Sequence, residues 1–306
     1  MPRSFGLPRA APVTESTPLV GPVLIIGCGY LGRVVARQCQ RLGVPVVLTT
    51  RSEERAKRLA SEFGPVVHRL DLAQADAAAH LQAVGLHAQR ALVLLTPGAL
   101  MDEAGGIAPL QHLCAGLATL PQLRRAVLSS STAVYGDRAG QTVNADSACS
   151  AVSPRERRLL EIETHWLGSQ GRRVVRLAGL YGPGRVIGES GLSRAQAVDG
   201  DPDGWLNLIH IHDAASLVLR CLADHAGIAP IELGSDGTPV VRRTYYEFLA
   251  ARMGCRRPAF SGAPAVRGGA SRRCDPRLTV ERTGWRPMYR DFRVGLAAEL
   301  PAPIPR

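Results

Sequence analysis

Lysine is nearly missing from this chain: Lys57 is the only one among 306 residues that carry a net charge of +11. Almost all the positive charge is therefore arginine, which stays protonated at any working pH and cannot carry protons. Aromatic residues are scarce too, at 5%. The arginines stand singly or in pairs without interleaved aromatics or a dense basic run, so no nucleic acid is expected, and the charge suits anionic small molecules better. No apolar run approaches the ~18 residues of a membrane span, and no membrane is expected as a partner. The seven cysteines (Cys28, Cys39, Cys114, Cys149, Cys221, Cys255 and Cys274) are scattered and odd in number, which argues against a disulfide framework or a zinc site. No metal is expected. The first 20 residues hold Pro2, Pro8, Pro12 and Pro18 but no apolar segment. They read as a disordered leader rather than a secretory signal, with the cytoplasm as the default location.

What is present is a core-forming composition, 45% hydrophobic, enough for one large or two fused domains. The organising stretch is Val23-Leu-Ile-Ile-Gly27-Cys-Gly29-Tyr30-Leu31-Gly32. An apolar, β-branched run stops where glycine begins, and helical periodicity follows, with Leu31, Val34, Val35, Cys39 and Leu42 on one face and Gly43 closing the helix. A Gly-x-Gly-x-x-Gly at a strand-to-helix turn suits a dinucleotide. Gly27 permits the turn, Gly29 lets the backbone approach a diphosphate, and Gly32 lets helix and strand pack, while the N–H groups at Tyr30 and Leu31 open the helix toward the anion.

A second strand, Val44 to Thr49, ends in Thr50-Arg51-Ser52, where an NAD site would place an acid. Arg51, with Arg55 beside it, suits a 2′-phosphate, so NADP is favoured over NAD; Glu53 and Glu54 belong to the first turn of the next helix. Ser52 is either a cofactor contact or that helix's cap. A third strand, Val66 to Leu72, brings Asp71 to its end, as an acceptor for an adenine amino group or as a helix cap. A fourth, Ala91 to Thr96, runs into Thr96-Pro97-Gly98, a loop expected beneath the cofactor. Helix pattern follows through Leu110, Leu113, Leu117 and Leu120. The fifth strand, Arg125 to Ser131, ends in three serines. Strands alternating with helices at this spacing predict an α/β fold, a doubly wound parallel (Rossmann) sheet with ligands outside the carboxyl ends of its strands.

At Ser129-Ser-Ser131-Thr-Ala-Val-Tyr135-Gly136 the chain resembles the extended short-chain dehydrogenase/reductase superfamily, the NAD-dependent epimerase/dehydratase group that acts on nucleotide sugars. Val175-Arg-Leu-Ala-Gly-Leu-Tyr181-Gly-Pro-Gly184, Asn207-Leu-Ile-His210-Ile-His212-Asp213 and Glu232-Leu-Gly-Ser follow in the same order. The resemblance implies that Ser131 orients substrate and that a Tyr-x-x-x-Lys pair moves the proton while hydride passes to or from a nicotinamide. Here the pair is missing. The stretch Ser153-Pro-Arg155-Glu-Arg-Arg158-Leu-Leu-Glu-Ile-Glu163 holds neither residue, no tyrosine occurs between Tyr135 and Tyr181, and Lys57 lies far away in the chain. The sequence thus resembles the atypical members that keep the cofactor fold and lose the pair. Arg155 or Arg158 could supply the lysine's charge at a ribose or phosphate, and Tyr135, Tyr181, His210 and His212 are the other acid/base candidates, each more simply a structural residue.

The resemblance divides the chain into a cofactor-binding domain over 21–180 and a smaller C-terminal substrate lobe over 181–306, interleaved with the last strands of the sheet at about 205–235. Arg185, Arg194, Arg272 and Arg273 could meet an anionic substrate there, while Arg172-Arg173 and Arg242-Arg243 read as solvated charges, and Asp213 as a helix cap. The expected function is an NADP(H)-dependent oxidoreductase or epimerase acting on a nucleotide sugar or similar phosphorylated small molecule, with a homodimer as its compatible assembly. The alternative is a cofactor-binding sensor without turnover.

Overall fold

The computed structural model describes residues 21–225, 227–263 and 269–300. The expected leader at 1–20 lies outside them. In chain order the elements are β1 (Val23–Ile26), α1 (Tyr30–Arg41), β2 (Val46–Thr50), α2 (Glu53–Phe63), β3 (Val67–Arg69), α3 (Ala77–Gly85), β4 (Arg90–Val93), α4 (Ala108–Ala118), β5 (Arg125–Ser131), β6 (Thr142–Val143), α5 (Pro154–Leu167), β7 (Arg172–Leu177) and β8 (Gly179–Tyr181). There follow α6 (Glu189–Ser193), β9 (Trp205–Leu206), β10 (Leu208–His210), α7 (Ile211–Arg220), β11 (Ile231–Gly234), β12 (Val240–Val241), α8 (Arg242–Met253), β13 (Arg273–Cys274), α9 (Arg277–Thr283) and α10 (Phe292–Glu299).

Seven strands make one parallel sheet in the order β11-β7-β5-β4-β1-β2-β3. The order reverses at β1, the switch point outside which doubly wound sheets bind ligands. Strands buried on both faces need apolar residues at every position, and β1 is buried throughout. Its Val23 and Ile25 pack with α1, α2 and α7, whereas Leu24 and Ile26 pack with α3, α4 and α5. Each such side chain contributes on the order of 1.5–3 kcal/mol. A third apolar cluster, built from Tyr181, Leu192, Leu208, Tyr245, Leu249, Phe292 and Leu296, sits beside the sheet. Within 205–235 only β11 joins the main sheet, while β10 pairs with β8.

Several expectations are corrected. Leu42 is 65% exposed, because α1 ends at Arg41 and the chain turns at Gly43, with φ +67°, before reaching the sheet. Arg172, Arg173 and Arg242 are buried, not solvated. Arg173 donates to the carbonyls of Cys221 and Ala223 just past the end of α7, Arg172 stacks 4.4 Å from the Trp166 ring centroid, and Arg242 donates to the Asp201 carbonyl. An arginine can satisfy orphan carbonyls at a helix end while its stem packs in the core. Arg243 is half-buried, with Asp203 as its ion-pair partner. Asp213 is not the cap of α7. His210 is, through Nδ1 and the His212 N–H, while both Asp213 oxygens accept N–H groups of Met288 and Tyr289 and tie down the C-terminal segment.

Candidate functional site

The glycine turn joins β1 to α1 at the switch point. Gly27 has φ +92°, which favours glycine, and a Cβ there would lie 2.9 Å from the Leu94 carbonyl oxygen. A Cβ on Gly32 would lie 2.6 Å from the Gly27 carbonyl oxygen, so helix and turn touch only because that atom is missing. Gly29 differs. A Cβ there would meet nothing closer than 3.9 Å, and the second atom in range is Nη2 of Arg55 at 4.0 Å. No side chain caps α1, and its first turn holds no acid, so its opening N–H groups at Tyr30, Leu31 and Gly32 face an open space bordered by a guanidinium. These residues fit a dinucleotide diphosphate.

At the end of β2, Arg51 is exposed. Ser52 caps α2 by accepting from the Arg55 N–H at 3.3 Å, and Glu53 and Glu54 sit in that helix's first turn, paired with Lys57 and Arg58. Arg69, at the end of β3, donates through Nε to the Arg51 carbonyl at 3.3 Å. Asp71 does not cap α3. Its Oδ1 accepts from the Ala73 N–H at 3.2 Å in a local turn, and Asp76 holds the cap position. Thr96 is exposed, and Pro97 opens a single 3-10 turn beyond β4.

The far end of the switch point is built differently. Ser129 donates to the Val93 carbonyl, and Ser130 donates to Glu163 Oε1 at 2.5 Å. Ser131 accepts from the Ala133 N–H at 3.2 Å, which leaves its own O–H available to donate. Behind the serines, Arg176 of β7 pairs with Glu163 of α5 through Nη2 to Oε2 at 2.7 Å and Nε to Oε2 at 3.0 Å. Both side chains are buried, and the carboxylate raises the guanidinium's proton affinity against the opposing effect of burial. The Arg176 guanidinium lies 4.9 Å from the Tyr135 ring centroid. Tyr135 is fully buried, and burial pushes its pKa up to about 12 against the opposing charge of Arg176.

The inward face of α5 carries Leu159, Ile162, Glu163 and Trp166, so two inward positions four residues apart are leucine and glutamate. Arg155 and Arg158 are exposed; Nη2 of Arg158 lies 3.9 Å from where a Gly105 Cβ would sit. The structure thus brings Gly27, Gly29, Tyr30, Leu31, Gly32 and Arg55 together. Ser131 caps the 3-10 turn that ends at Tyr135, and Arg155 and Arg158 lie on the outside of α5. Sequence reasoning missed Arg69 and the Glu163–Arg176 pair. An acid on the apolar stripe of α5 was the available signal for the second.

A third cluster closes over the turn. The position of a Gly182 Cβ is 3.1 Å from the Tyr30 hydroxyl and 3.2 Å from His210 Nε2. Arg185 lies 5.5 Å from the Tyr30 ring centroid. His210 uses Nδ1 as an acceptor, so Nε2 carries the proton of the neutral ring and donates to Glu299 Oε1 at 3.3 Å. Burial lowers its pKa to about 3. Tyr181 is sealed in as well, with its hydroxyl against Gly295 of α10. Three of the four arginines considered for an anionic substrate serve main-chain carbonyls instead: Arg194 that of Ser190, Arg272 that of Gly136 and Arg273 that of Gly140.

Among the described residues no helix is long and apolar enough to cross a membrane. The family described as the saccharopine dehydrogenase NADP binding domain matches residues 23–102, the stretch that contains the glycine turn and the arginines of β2 and β3. A curated shikimate dehydrogenase (NADP(+)) of Thermus thermophilus is 36% identical over 96 residues, which are 31% of this chain; the chain spans 36% of that relative's length. A functionally unknown conserved protein from Silicibacter pomeroyi superposes with a TM-score of 0.74 at 23% identity, over 91% of this chain and 98% of that one. MoeE5 in complex with UDP-glucose and NAD gives 0.73 at 20% identity, over 91% and 97%. UDP-glucose 4-epimerase with UDP-glucose from Thermotoga maritima gives 0.72 at 15%, over 91% and 97%. The resemblance read in the sequence therefore holds at the level of fold: the chain has the Rossmann architecture of these solved structures, and the stretch matching an NADP binding domain is the one that carries its glycine turn.

Proposed function

We propose that the protein is an NADP(H)-dependent oxidoreductase of the epimerase/dehydratase type, acting on a nucleotide sugar or a similar phosphorylated small molecule. The observation that carries this reading is the uncapped, acid-free start of α1 beside Gly29, faced by Arg55. A nicotinamide dinucleotide held there supplies hydride exchange. Arg51 stands where a 2′-phosphate would be read, the free oxygen of Asp71 can accept from an adenine amino group, and Thr96 with Pro97 floors the site. Ser131 orients the substrate by donating its O–H. Arg155 and Arg158 hold anions at the outer lip and, protonated at any working pH, transfer no proton. The UDP-glucose in the names of MoeE5 and the Thermotoga epimerase supports a nucleotide-sugar substrate. Unpaired cysteines suit a cytoplasmic location.

One observation favours a second reading, a cofactor-binding sensor without turnover. Where a proton carrier would stand, α5 presents Leu159 and a glutamate already engaged by Arg176, and the nearby Tyr135 is sealed. Titration with NADPH followed by fluorescence, then a panel of nucleotide sugars followed at the nicotinamide absorbance, tests both. Binding with turnover that Ser131→Ala reduces and Tyr135→Phe leaves intact supports the first reading. Tight binding without turnover across the panel supports the second, and no binding of NADPH or NADH overturns both.

A further inference from the structure

We infer that Arg69 is a cofactor-specificity residue: Arg51 and Arg69 together grip the 2′-phosphate of NADP(H) across the ends of β2 and β3, while Arg55 serves the diphosphate. This rests on the dinucleotide reading above. Parallel pairing sets Thr50 beside Arg69, so Arg51, one residue further on, and Arg69 share the rim of the sheet. The bond from Arg69 Nε to the Arg51 carbonyl fixes the guanidinium beside that residue, and its remaining N–H groups stay available for an anion. Both side chains are exposed.

The surrounding carboxylates are engaged elsewhere. Glu53 pairs with Lys57, Glu54 with Arg58, and Glu62 with Arg33 and Arg37. Asp71 turns Oδ1 onto the Ala73 N–H. Among the described residues no carboxylate forms an ion pair with Arg51, Arg55 or Arg69, which leaves three guanidinium groups around one rim. They divide by position. Nη2 of Arg55 is 4.0 Å from where a Gly29 Cβ would be, and Arg55 and Arg33 are the leading positive influences on the neighbouring Cys28 thiol, so Arg55 belongs to the glycine turn. Arg69 is tied to Arg51 at the neighbouring strand ends. A phosphate dianion matches a pair of guanidinium forks better than a single one.

The test is calorimetric titration of the full chain with four probes: 2′,5′-ADP, ADP, NADPH and NADH. Arg69→Gln is expected to weaken 2′,5′-ADP and NADPH roughly tenfold, the loss of one charge-assisted contact, and to leave ADP and NADH unchanged. Arg51→Gln should do the same, whereas Arg55→Gln should weaken all four alike. Arg69→Lys, which keeps the charge, should restore most of the preference for 2′,5′-ADP. If Arg69→Gln melts like the wild type and weakens all four probes equally, Arg69 merely supports the turn and the inference is overturned. If wild-type protein binds NADH but takes 2′,5′-ADP no more tightly than ADP, the 2′-phosphate pocket is overturned and the dinucleotide reading stands. If it binds none of the four, the function proposed above falls as well.

Discussion

The two ends of the switch point handle charge in opposite ways. At the β1–β2–β3 end, Arg55 borders the glycine turn and Arg51 and Arg69 stand at the neighbouring strand ends, and among the described residues no carboxylate pairs with them. At the β5–β7 end, Ser130, Glu163 and Arg176 satisfy one another in the interior and Tyr135 is closed off beneath them. An end kept open for an anion leaves its cations without carboxylate partners, whereas the other end spends its polar groups on one another in packing. The contrast sets an end whose charges suit the proposed dinucleotide against one whose polar groups engage each other, on a helix, α5, that holds neither tyrosine nor lysine.

The sharpest way to break this contrast is Arg176→Met. It strands Glu163 as a buried uncompensated charge and should cost about 3–5 kcal/mol in denaturant unfolding. Retention of full stability would mean that the β5–β7 end is not built on this pair. Next is pH. Asp236, just past β11, is buried with Oδ2 unpartnered, and its pKa is raised to about 8, chiefly by burial, with Asp291 and Asp213 adding to it. The native state therefore binds a proton that the unfolded state has released above its ordinary carboxylate pKa. That contribution is complete below about 3.8 and is lost as pH rises toward about 8. Thermal midpoints should fall between pH 6 and pH 8, and Asp236→Asn should flatten the slope, which can reach about 1.4 kcal/mol per pH unit. His210, with its pKa lowered by burial, acts in the opposite sense, its contribution being lost on acidification from about 6.5 toward 3.

A smaller effect tests the open end. Gly32→Ala drives a methyl against the Gly27 carbonyl and should cost about 1–3 kcal/mol while abolishing NADPH binding. If binding survives, the close helix approach does not shape the cradle. Smallest is Ser52→Ala, which should remove about 1 kcal/mol by uncapping α2 and leave NADPH affinity unchanged. A loss of affinity would restore Ser52 to the cofactor site.

Much of the cradle was legible because its signals are local. β5 runs over the expected residues, and β1 ends where glycine begins, since an apolar run bounded by a turn residue needs no distant partner to be read. Boundaries of β2, β3 and β4 moved by a few residues, as strand ends depend on neighbours. What stayed hidden was made by pairs from different elements. Glu163 and Arg176 meet only when α5 lies on the sheet. In so arginine-rich a chain, nothing marks Arg173 as a cap for distant carbonyls while leaving Arg69 exposed at a strand end. Asp213 looked like a helix cap because it opens a helix, yet its partners Met288 and Tyr289 lie near the far end of the chain.

Tyr30, in the first β–α turn, rests against Gly182 and the His210–Glu299 contact. The ribosome therefore delivers the outer wall of that turn last. At about 5–20 residues per second, the nascent glycine turn waits on the order of tens of seconds for α10 to emerge. A chain truncated before Phe292 would present an early cradle with its later wall missing.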